Sequence, residues 1–401
     1  MTTNGPLSDL RVLDISTIIA APFAATLMAD YGADVVKVEM PGQGDGMRNF
    51  PPFKNGESLW WKVTNRGKRF IELDLRTEEG AEVFRRMVRD FDVVVENFRP
   101  GTLERWGLGP DVLHAINPSL VILRVTGFGQ DGPRAKSPGF ARLFEAMSGL
   151  AHLTGEADGP PIHPSYPMGD AIGGLFGALS IMTALHSVRS DPARRGQVVD
   201  LSLTEAVFRL LDFQTIAYDQ LGQVFTRNGN WNQYSAPSDV YPTLDGKYVS
   251  LSGSTNNTFA ANLRSIGRTD LLDEPRYATN KLRVENSRDI DAVFRQWFAE
   301  HDLADIVAVF GREGGTLAPI YSIDMIFEDV QYQARKAIVS VPDDTFGEVR
   351  MQGVVPRFSR SPCAVRGSAG RLGRDNEEVL GAYSDPALPG LNPEAQAGMS
   401  E

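Results

Sequence analysis

One carboxylate stands between a loop and a strongly apolar segment of the chain. Asp170 lies within residues 166–174, and the apolar, small-residue-rich run 175–185 that follows predicts a buried helix beginning close to it. Unpaired N–H groups and the helix dipole at such a start favour an ionised carboxylate. That carboxylate could attack a carbonyl carbon, and the same N–H groups would stabilise the oxyanion formed. The alternative is that Asp170 only caps the helix.

Composition describes a globular protein and excludes several partners. The chain has 401 residues, of which 42% are hydrophobic and 23% charged, enough for one large domain and a smaller one. A net charge of −11 argues against nucleic acid or an anionic membrane as the main partner, so we expect neither. The first residues carry no basic or apolar leader, which predicts a cytoplasmic protein.

Two further features favour a soluble enzyme without a metal. The single Cys363 cannot form an intrachain disulfide or a cysteine cluster, and we expect no metal site. Residues 171–188 are long enough to test as a membrane span, but they include Ser180, Thr183 and His186, so a core helix is the better interpretation.

Short apolar strands alternate with helices through the first half of the chain. Strands are predicted at 11–15, 33–39, 69–73, 92–96, 120–125 and 196–203, with helices at 21–30 and after Thr77. This alternation indicates an α/β fold with a Rossmann-like parallel sheet covered on both faces. Because ligands bind at the carboxyl ends of such strands, the loops after Ile15, Glu39, Glu96 and Val125 should converge on a site.

Residues 127–132 match the dinucleotide-binding motif G-x-G-x-x-G but lack the sequence context that this motif requires. It follows a strand, as a dinucleotide fingerprint does, but it continues into Pro133 and Pro138 instead of an apolar helix. No acidic strand end follows at the required spacing. We therefore expect no NAD and no flavin.

The composition changes after residue 222. Residues 204–221 predict one helix, 222–238 are rich in Asn and Gly, and 240–251 show a hairpin pattern with Asp245-Gly246 as the turn. Helices are expected near 258–266 and 290–298. We predict a large domain in residues 1–222, a smaller α+β domain with linkers in 223–335, and a return segment in 336–401 that packs on the large domain.

Several separate stretches together resemble the class III CoA-transferase family, which includes formyl-CoA transferase, carnitine CoA-transferase and α-methylacyl-CoA racemase. They cover nearly the whole chain, at residues 11–14, 20–22, 32–39, 65–69, 96–101, 127–129, 147–149, 169–170 and 372–376. The resemblance implies a homodimer of interlinked rings, and the return of the tail to the large domain. It also implies that Asp170 is the catalytic carboxylate.

The implied reaction needs no general base. Asp170 attacks an acyl-CoA thioester to give a mixed anhydride, CoA thiolate returns to form an aspartyl-CoA thioester, and a carboxylic acid acceptor reverses the sequence. Gly229 is a candidate oxyanion donor. The resemblance further implies that coenzyme A, the acyl-CoA substrate, contacts a set of residues along the large domain: Ile19, Ala20, Leu73, Arg76, Asn97, Phe98, Arg99, Arg105, Gly139, Phe140 and Arg142.

Two other functions stay open at this point. A racemase needs an acid/base pair, and its histidine aligns with Phe140, which cannot carry a proton; His152 and His163 are the substitutes to consider. A non-catalytic CoA-binding protein is the second alternative. Ile19 and Met40 replace the Gln and Arg of formyl-CoA transferase, so formyl transfer is not expected. Arg142 suggests a dicarboxylate, such as succinate or a C4–C5 diacid.

Overall fold

Six parallel strands form the central sheet. The structure is a computed structural model that describes residues 5–383. The sheet order is β3-β2-β1-β4-β5-β6, which is the order of the doubly wound Rossmann sheet. Its strands are β1 Arg11–Asp14, β2 Asp34–Glu39, β3 Arg69–Glu72, β4 Val93–Glu96, β5 Val121–Thr126 and β6 Gln197–Ser202. The predicted parallel α/β sheet is therefore confirmed.

Both faces of this sheet are covered by helices. One buried cluster packs α1 and α8 against β1, β4 and β5, and a second packs α3 and α5 on the other face. The helices in residues 20–221 are α1 Ala20–Asp30, α2 Leu59–Thr64, α3 Glu78–Val88, α4 Thr102–Arg105, α5 Pro110–Ile116, α6 Ala141–Met147, α7 Leu150–Leu153, α8 Met168–Ser190, α9 Leu203–Phe208 and α10 Asp212–Leu221.

Helix α3 shows how the sequence determines one of these elements. The Thr77 hydroxyl accepts a hydrogen bond from the N–H of Gly80 and so caps the helix start. Ala81, Phe84 and Val88 then repeat at helical spacing, and all three are buried.

Contacts divide the chain into two compact units, of which the second contains residues 151–162 and 224–333. The segment 151–162, which the sequence-based division leaves in the large domain, belongs to this second unit. Its antiparallel sheet packs around Tyr241, Phe294 and Phe298. Its elements are β7 Ser238–Pro242, β8 Tyr248–Ser252, β9 Leu317–Pro319, α11 Asn256–Ser265, α12 Asn280–Glu285, α13 Ser287–Ala299, α14 Leu303–Glu313 and α15 Ile323–Glu328.

The tail covers the edge of the central sheet. After α16 Val330–Ala334, the hairpin strands β10 Ile338–Asp343 and β11 Gly347–Gln352 precede α17 Asn376–Leu380. The N–H of Phe70 donates to the carboxylate of Asp375 (2.6 Å), and the N–H of Glu72 donates to Asn376 (2.8 Å). The end strand β3 thus has its outer donors satisfied, which protects it from pairing with another chain.

One predicted helix is divided in the structure, and the helix expected to begin close to Asp170 does so. The single helix expected at 204–221 is two helices, because α9 closes with tight turns at Leu210 and Leu211 and Asp212 starts a new helix. Helix α8 begins at Met168, so Asp170 lies inside its first turn. α8 is also long and apolar enough by composition to pass a membrane-span test, and about half of the tested window is buried in this fold.

Candidate active site

Asp170 is the third residue of α8, not its cap. The N-cap position is held by Pro167, which makes no side-chain cap bond, so the capping alternative is wrong. Within residues 5–383 the Asp170 carboxylate has no hydrogen bond and no ion pair. A partly buried carboxylate without a protein partner is free to react with a ligand.

A second carboxylate, that of Glu145, accepts a hydrogen bond from a backbone N–H at the start of α8. Glu145 of α6 accepts a hydrogen bond from the N–H of Gly169 (3.0 Å), and its other oxygen lies 2.9 Å from Nδ1 of His163. The Glu145 side chain is 1% exposed. Glu145 was not predicted from the sequence, although its position carries a signal: Ala141, Phe144 and Glu145 share the buried face of α6.

Burial raises the pKa of Asp170 to about 7, and the negative charge of Glu145 adds to the shift. The pKa of Asp170 is therefore raised even though a helix start favours the ionised form. The helix dipole amounts to about half a charge, and the nearby Gly169 donor is already used by Glu145. Loss of water and the like charge of Glu145 outweigh the stabilisation that the helix start gives to the ionised form, so Asp170 changes protonation near neutral pH.

The start of α1 lies against the start of α8. A Cβ on Gly174 would come within 2.9 Å of the Ala20 carbonyl oxygen and 2.6 Å of the Phe23 ring, so only glycine permits this approach. The N–H groups of Ile19, Ala20 and Ala21 make no hydrogen bond within the described residues. The start of α1 thus contacts α8 at Gly174, one helical turn after Asp170, so these free donors are candidates to stabilise an oxyanion.

The loop that leads into α1 is held by side chains on neighbouring strands. The Asn97 amide donates to the carbonyl of Thr17 and accepts from its N–H, both at 2.8 Å. The N–H of Ile18 donates to both oxygens of Asp45 (3.0 and 3.2 Å), and Asp45 pairs with buried Lys37 at 2.9 Å. Ile18 has φ 71°, a strained value for a β-branched residue, so these bonds fix the aim of the first α1 residues.

A small cavity of about 90 Å³ opens at the carboxyl end of the sheet. It is built from the loops after β1, β2, β3 and β4, so three of the four loops predicted to converge do so here. Its lining includes the predicted coenzyme residues Leu73, Arg76 and Phe98, together with Ile15, Ser16, Thr17, Glu39, Met40 and Trp106. The loop after Val125 does not line it.

The predicted coenzyme residues fall into three groups. Leu73, Arg76 and Phe98 line the cavity, and Asn97 lies beside it with its amide bonded to Thr17. The side chains of Ile19 and Ala20 are buried, at 5% and 4% exposure, so they present only backbone. The exposed or loop positions are Arg99, Arg105, Gly139, Phe140 and Arg142.

Three of these residues, Arg76, Arg105 and Gly139, already make contacts within the protein. Arg76 is held by Asp74 at 2.8 Å and lies 3.0 Å from the Met40 sulfur. Arg105 donates to the Thr102 hydroxyl. Gly139 lies against the Phe144 ring, which a Cβ would approach to 2.5 Å, so its glycine has a packing reason.

The start of α6 brings Arg142 towards Asp170. A Cβ on Gly169 would lie 3.2 Å from the carbonyl oxygen of Ala141, the residue before Arg142. Arg142 is exposed and its guanidinium has no partner within residues 5–383. Phe140 is 75% exposed. A free cation and an exposed ring therefore lie near the helix start that carries Asp170.

Two further side chains near Asp170 were not predicted. Burial raises the pKa of Tyr166, and the charge of Asp170 raises it further; the Tyr166 ring lies 6.2 Å from that of Trp60.

Gly229 is not available as an oxyanion donor, because its N–H is bonded to the Gly155 carbonyl at 2.8 Å. Among the described residues no group of His, Cys, Asp or Glu has a metal-binding arrangement.

Fold and site together define a Rossmann-like enzyme with an unpaired carboxylate at a helix start. The family model for CoA-transferase family III matches residues 7–376, so the chain belongs to that family and is a CoA-transferase. The same fold occurs in a CaiB/BaiF family protein from Brucella suis, with 31% sequence identity and a TM-score of 0.84. The match covers 95% of this chain and 100% of that one.

Two similar proteins come from Chloroflexus aurantiacus. Succinyl-CoA–D-citramalate CoA-transferase is 38% identical over 94% of this chain and 93% of its own length. The beta subunit of succinyl-CoA–L-malate CoA-transferase is 40% identical over 94% of each.

Proposed function

We propose that the protein moves CoA from an acyl-CoA donor to a dicarboxylic acid, with Asp170 as the nucleophile. The observation that carries this proposal is the unpaired Asp170 carboxylate at the start of α8, a helix start that packs against the start of α1 with its free N–H groups of Ile19 and Ala20. A nucleophile and oxyanion donors are the two parts that acyl transfer requires. Glu145 makes one bond to the backbone and one to His163, so it is less available for attack.

The proposed steps exchange acyl and CoA groups without a proton. An Asp170 oxygen bonds to the donor carbonyl carbon, and the C–S bond breaks to release CoA thiolate. The thiolate attacks the aspartyl carbonyl of the anhydride, which releases the donor acid and leaves an aspartyl-CoA thioester. The acceptor carboxylate attacks this thioester to give a second anhydride and thiolate. The thiolate then takes the acceptor acyl group, and Asp170 is regenerated.

The pKa of Asp170 sets a pH dependence. Only the ionised carboxylate attacks, and its pKa is about 7. The rate of the first step should therefore fall as the pH drops below about 7 and level off above it.

The coenzyme is expected to follow the carboxyl end of the sheet. The cavity of about 90 Å³ is smaller than a typical ligand site of about 300–1,000 Å³, so it would enclose only part of a nucleotide. Phe98 and Trp106, at 4.9 Å between ring centres, offer an aromatic wall. Arg76, Arg99 and Arg105 are the cations we assign to the phosphates, because a chain of net charge −11 must supply them locally.

The acceptor class follows from Arg142 and from the relatives. The two Chloroflexus enzymes are named for transfers between succinyl-CoA and D-citramalate or L-malate, which are dicarboxylates. A dicarboxylate has one carboxylate to react and one to hold. Arg142 is the free cation next to the Asp170 helix start, so we assign the second carboxylate to it.

Replacing Arg142 tests this assignment. In Arg142→Gln the KM for succinate or malate should rise about tenfold or more, the loss of one charge-assisted pair, with the KM for acyl-CoA unchanged. Arg209→Gln, at an exposed arginine after α9, is the matched control. Unchanged acceptor kinetics in Arg142→Gln would remove Arg142 from the site.

We also propose the interlinked homodimer that the family resemblance implies. Helix α10 buries none of its residues, and Ile216, Tyr218 and Leu221 are 63%, 63% and 74% exposed. Such an apolar surface needs a cover, and a second copy supplies one. Ile216→Glu should lower the mass measured by light scattering, whereas Gln220→Glu on the same helix should not. A chain that is monomeric at micromolar concentration contradicts the dimer.

The central experiment measures the covalent intermediate. The protein is incubated with succinyl-CoA in deuterated buffer, and its intact mass and the deuterium at the substrate α-carbon are read. We expect a CoA-sized adduct on the Asp170 peptide that disappears when malate is added. Deuterium at the α-carbon without an adduct would instead indicate racemase chemistry.

A further inference from the structure

His163 differs from the structural histidines of this fold in its partner. His114, for comparison, bonds through Nε2 to the backbone carbonyl of Leu120 at 3.0 Å. His163 lies 2.9 Å from a carboxylate that is 1% exposed, and its own side chain is 24% exposed. A half-buried imidazole against a buried carboxylate is an ion pair when the imidazole is protonated.

The carboxylate of that pair belongs to the Asp170 helix start. Glu145 holds the N–H of Gly169 with one oxygen and faces His163 with the other. Asp170 is the next residue, and Glu145 is the charge that acts on it. Two carboxylates in one partly dry site cannot both ionise easily without a nearby cation.

Other charges near the start of α8 do not supply that cation. The elements packed on α8 are α1, α6, α9, β5 and β6, and residues 163–167 lead into it. Arg142, which the proposed function assigns to the second carboxylate of the substrate, makes no ion pair with Glu145 or Asp170 among the described residues, and Arg124 is bonded to Glu96 and Glu104. The remaining titratable groups on these elements are neutral or acidic, or lie at the far end: Tyr166, Glu205, Asp200 and Asp30, the last paired with Arg66.

We propose that His163 is a positioning residue for the transfer, which as an imidazolium pairs with Glu145 and so allows Glu145 and Asp170 to be ionised together. This inference rests on the proposed function, because it assumes that ionised Asp170 is the nucleophile. His163 does not touch the reacting atoms in this role. It acts through Glu145, whose other oxygen fixes the backbone at Gly169.

The test is the pH profile of the first half-reaction. The full-length protein is mixed with succinyl-CoA in a single turnover between pH 5.5 and 9, and the rate of CoA adduct formation on the Asp170 peptide is measured. His163→Gln keeps a hydrogen-bond donor but cannot carry a charge. Its acid limb should move up by about one pH unit, so that it is about tenfold slower near pH 6 and nearly normal at pH 9.

A second variant makes the result specific. Glu145→Gln keeps an acceptor for Gly169 but removes the negative charge, so its acid limb should move down in pH. In the double variant, loss of His163 should add no further shift, because its route to Asp170 is gone. His186→Gln, at an exposed histidine near the far end of α8, is the control for the substitution itself.

The outcomes separate two failures. If His163→Gln is slower by one factor at every pH, or if its acid limb does not move, His163 is only structural and the inference is overturned. If the unchanged protein forms no adduct on Asp170 at any pH, the proposed function itself fails.

Discussion

Two aspartates in this molecule, one fully and one partly buried, have pKa values shifted in opposite directions. Asp14, at the end of β1, is fully buried, and burial alone would raise its pKa, but Lys37 and Lys68 outweigh it and hold the pKa below the ordinary value. Asp170, at the start of α8, has no cation in contact among the described residues, and burial with the charge of Glu145 raises its pKa to about 7. The residue type is the same, so the partners decide the charge.

The difference separates a structural carboxylate from a reactive one. Nζ of Lys68 donates to Asp14 at 2.7 Å, to the Pro22 carbonyl at 2.8 Å and to Asn65 at 2.7 Å, so its three donors are satisfied. Burial lowers the pKa of Lys68 to about 8; Asp14 opposes the shift and Lys37 adds to it. Nothing in this cluster is left to bind a ligand. Asp170 keeps its oxygens free, at a cost in stability.

The largest expected effect is on activity at the reactive carboxylate. Asp170→Asn removes the nucleophile without changing the size of the side chain. We expect CoA transfer to fall by at least about a thousandfold, and the CoA adduct to disappear from the intact mass. Asp111→Asn, on the exposed side of α5, is the control. Substantial turnover in Asp170→Asn would show that Asp170 is not the nucleophile, and the contrast between a structural and a reactive aspartate would then be wrong.

The next effect is on stability at the structural carboxylate. Lys68→Met leaves Asp14 with Lys37 alone, at 3.6 Å, and leaves Pro22 and Asn65 without their donor. The free energy of unfolding should fall by about 3–5 kcal/mol, measured by urea titration. Lys281→Met, at a lysine whose side chain is 86% exposed, should change little. Equal losses in the two variants would contradict the role given to Lys68.

A smaller effect sharpens the comparison through pH. Because the folded pKa of Asp170 lies above the ordinary 3.8, ionising it costs folding free energy. Asp170→Asn removes this cost, so it should stabilise the protein by an amount that grows between about pH 4 and pH 7 and stays constant above. We expect a gain on the order of 2 kcal/mol at pH 8, allowing for partial exposure. A gain that does not depend on pH would point to packing instead.

The smallest effect is expected at an exposed ion pair. Arg76 is bonded to Asp74, but the Arg76 side chain is 54% exposed. Arg76→Ala should leave the unfolding transition unchanged and raise the KM for acyl-CoA about threefold. Arg268→Ala, at an exposed arginine paired with Asp270 in the second unit, is the matched control for both measurements. A large loss of stability in Arg76→Ala would mean that the exposed Arg76–Asp74 pair stabilises the fold as the buried Lys68–Asp14 pair does.

Much of the large unit could be predicted from local pattern. The apolar strands at 11–14, 34–39 and 93–96 and the Thr77 cap are properties of short segments, and the structure has them where the pattern indicated. The break between α9 and α10 could not be seen, since apolar spacing continues across Leu210 and Leu211. The N-cap interpretation of Asp170 failed because α8 begins at Met168, two residues before Asp170.

The sequence by itself determined the parallel sheet, the family resemblance and the identity of Asp170 as the candidate nucleophile, because these depend on periodicity and on motifs read along the chain. Only the tertiary structure decided the charge of that residue. Glu145 and the start of α1 are distant from Asp170 in sequence, and folding brings them, with His163 of the preceding loop, to one helix start. A pKa depends on burial and on charges in space, and neither is a property of local sequence.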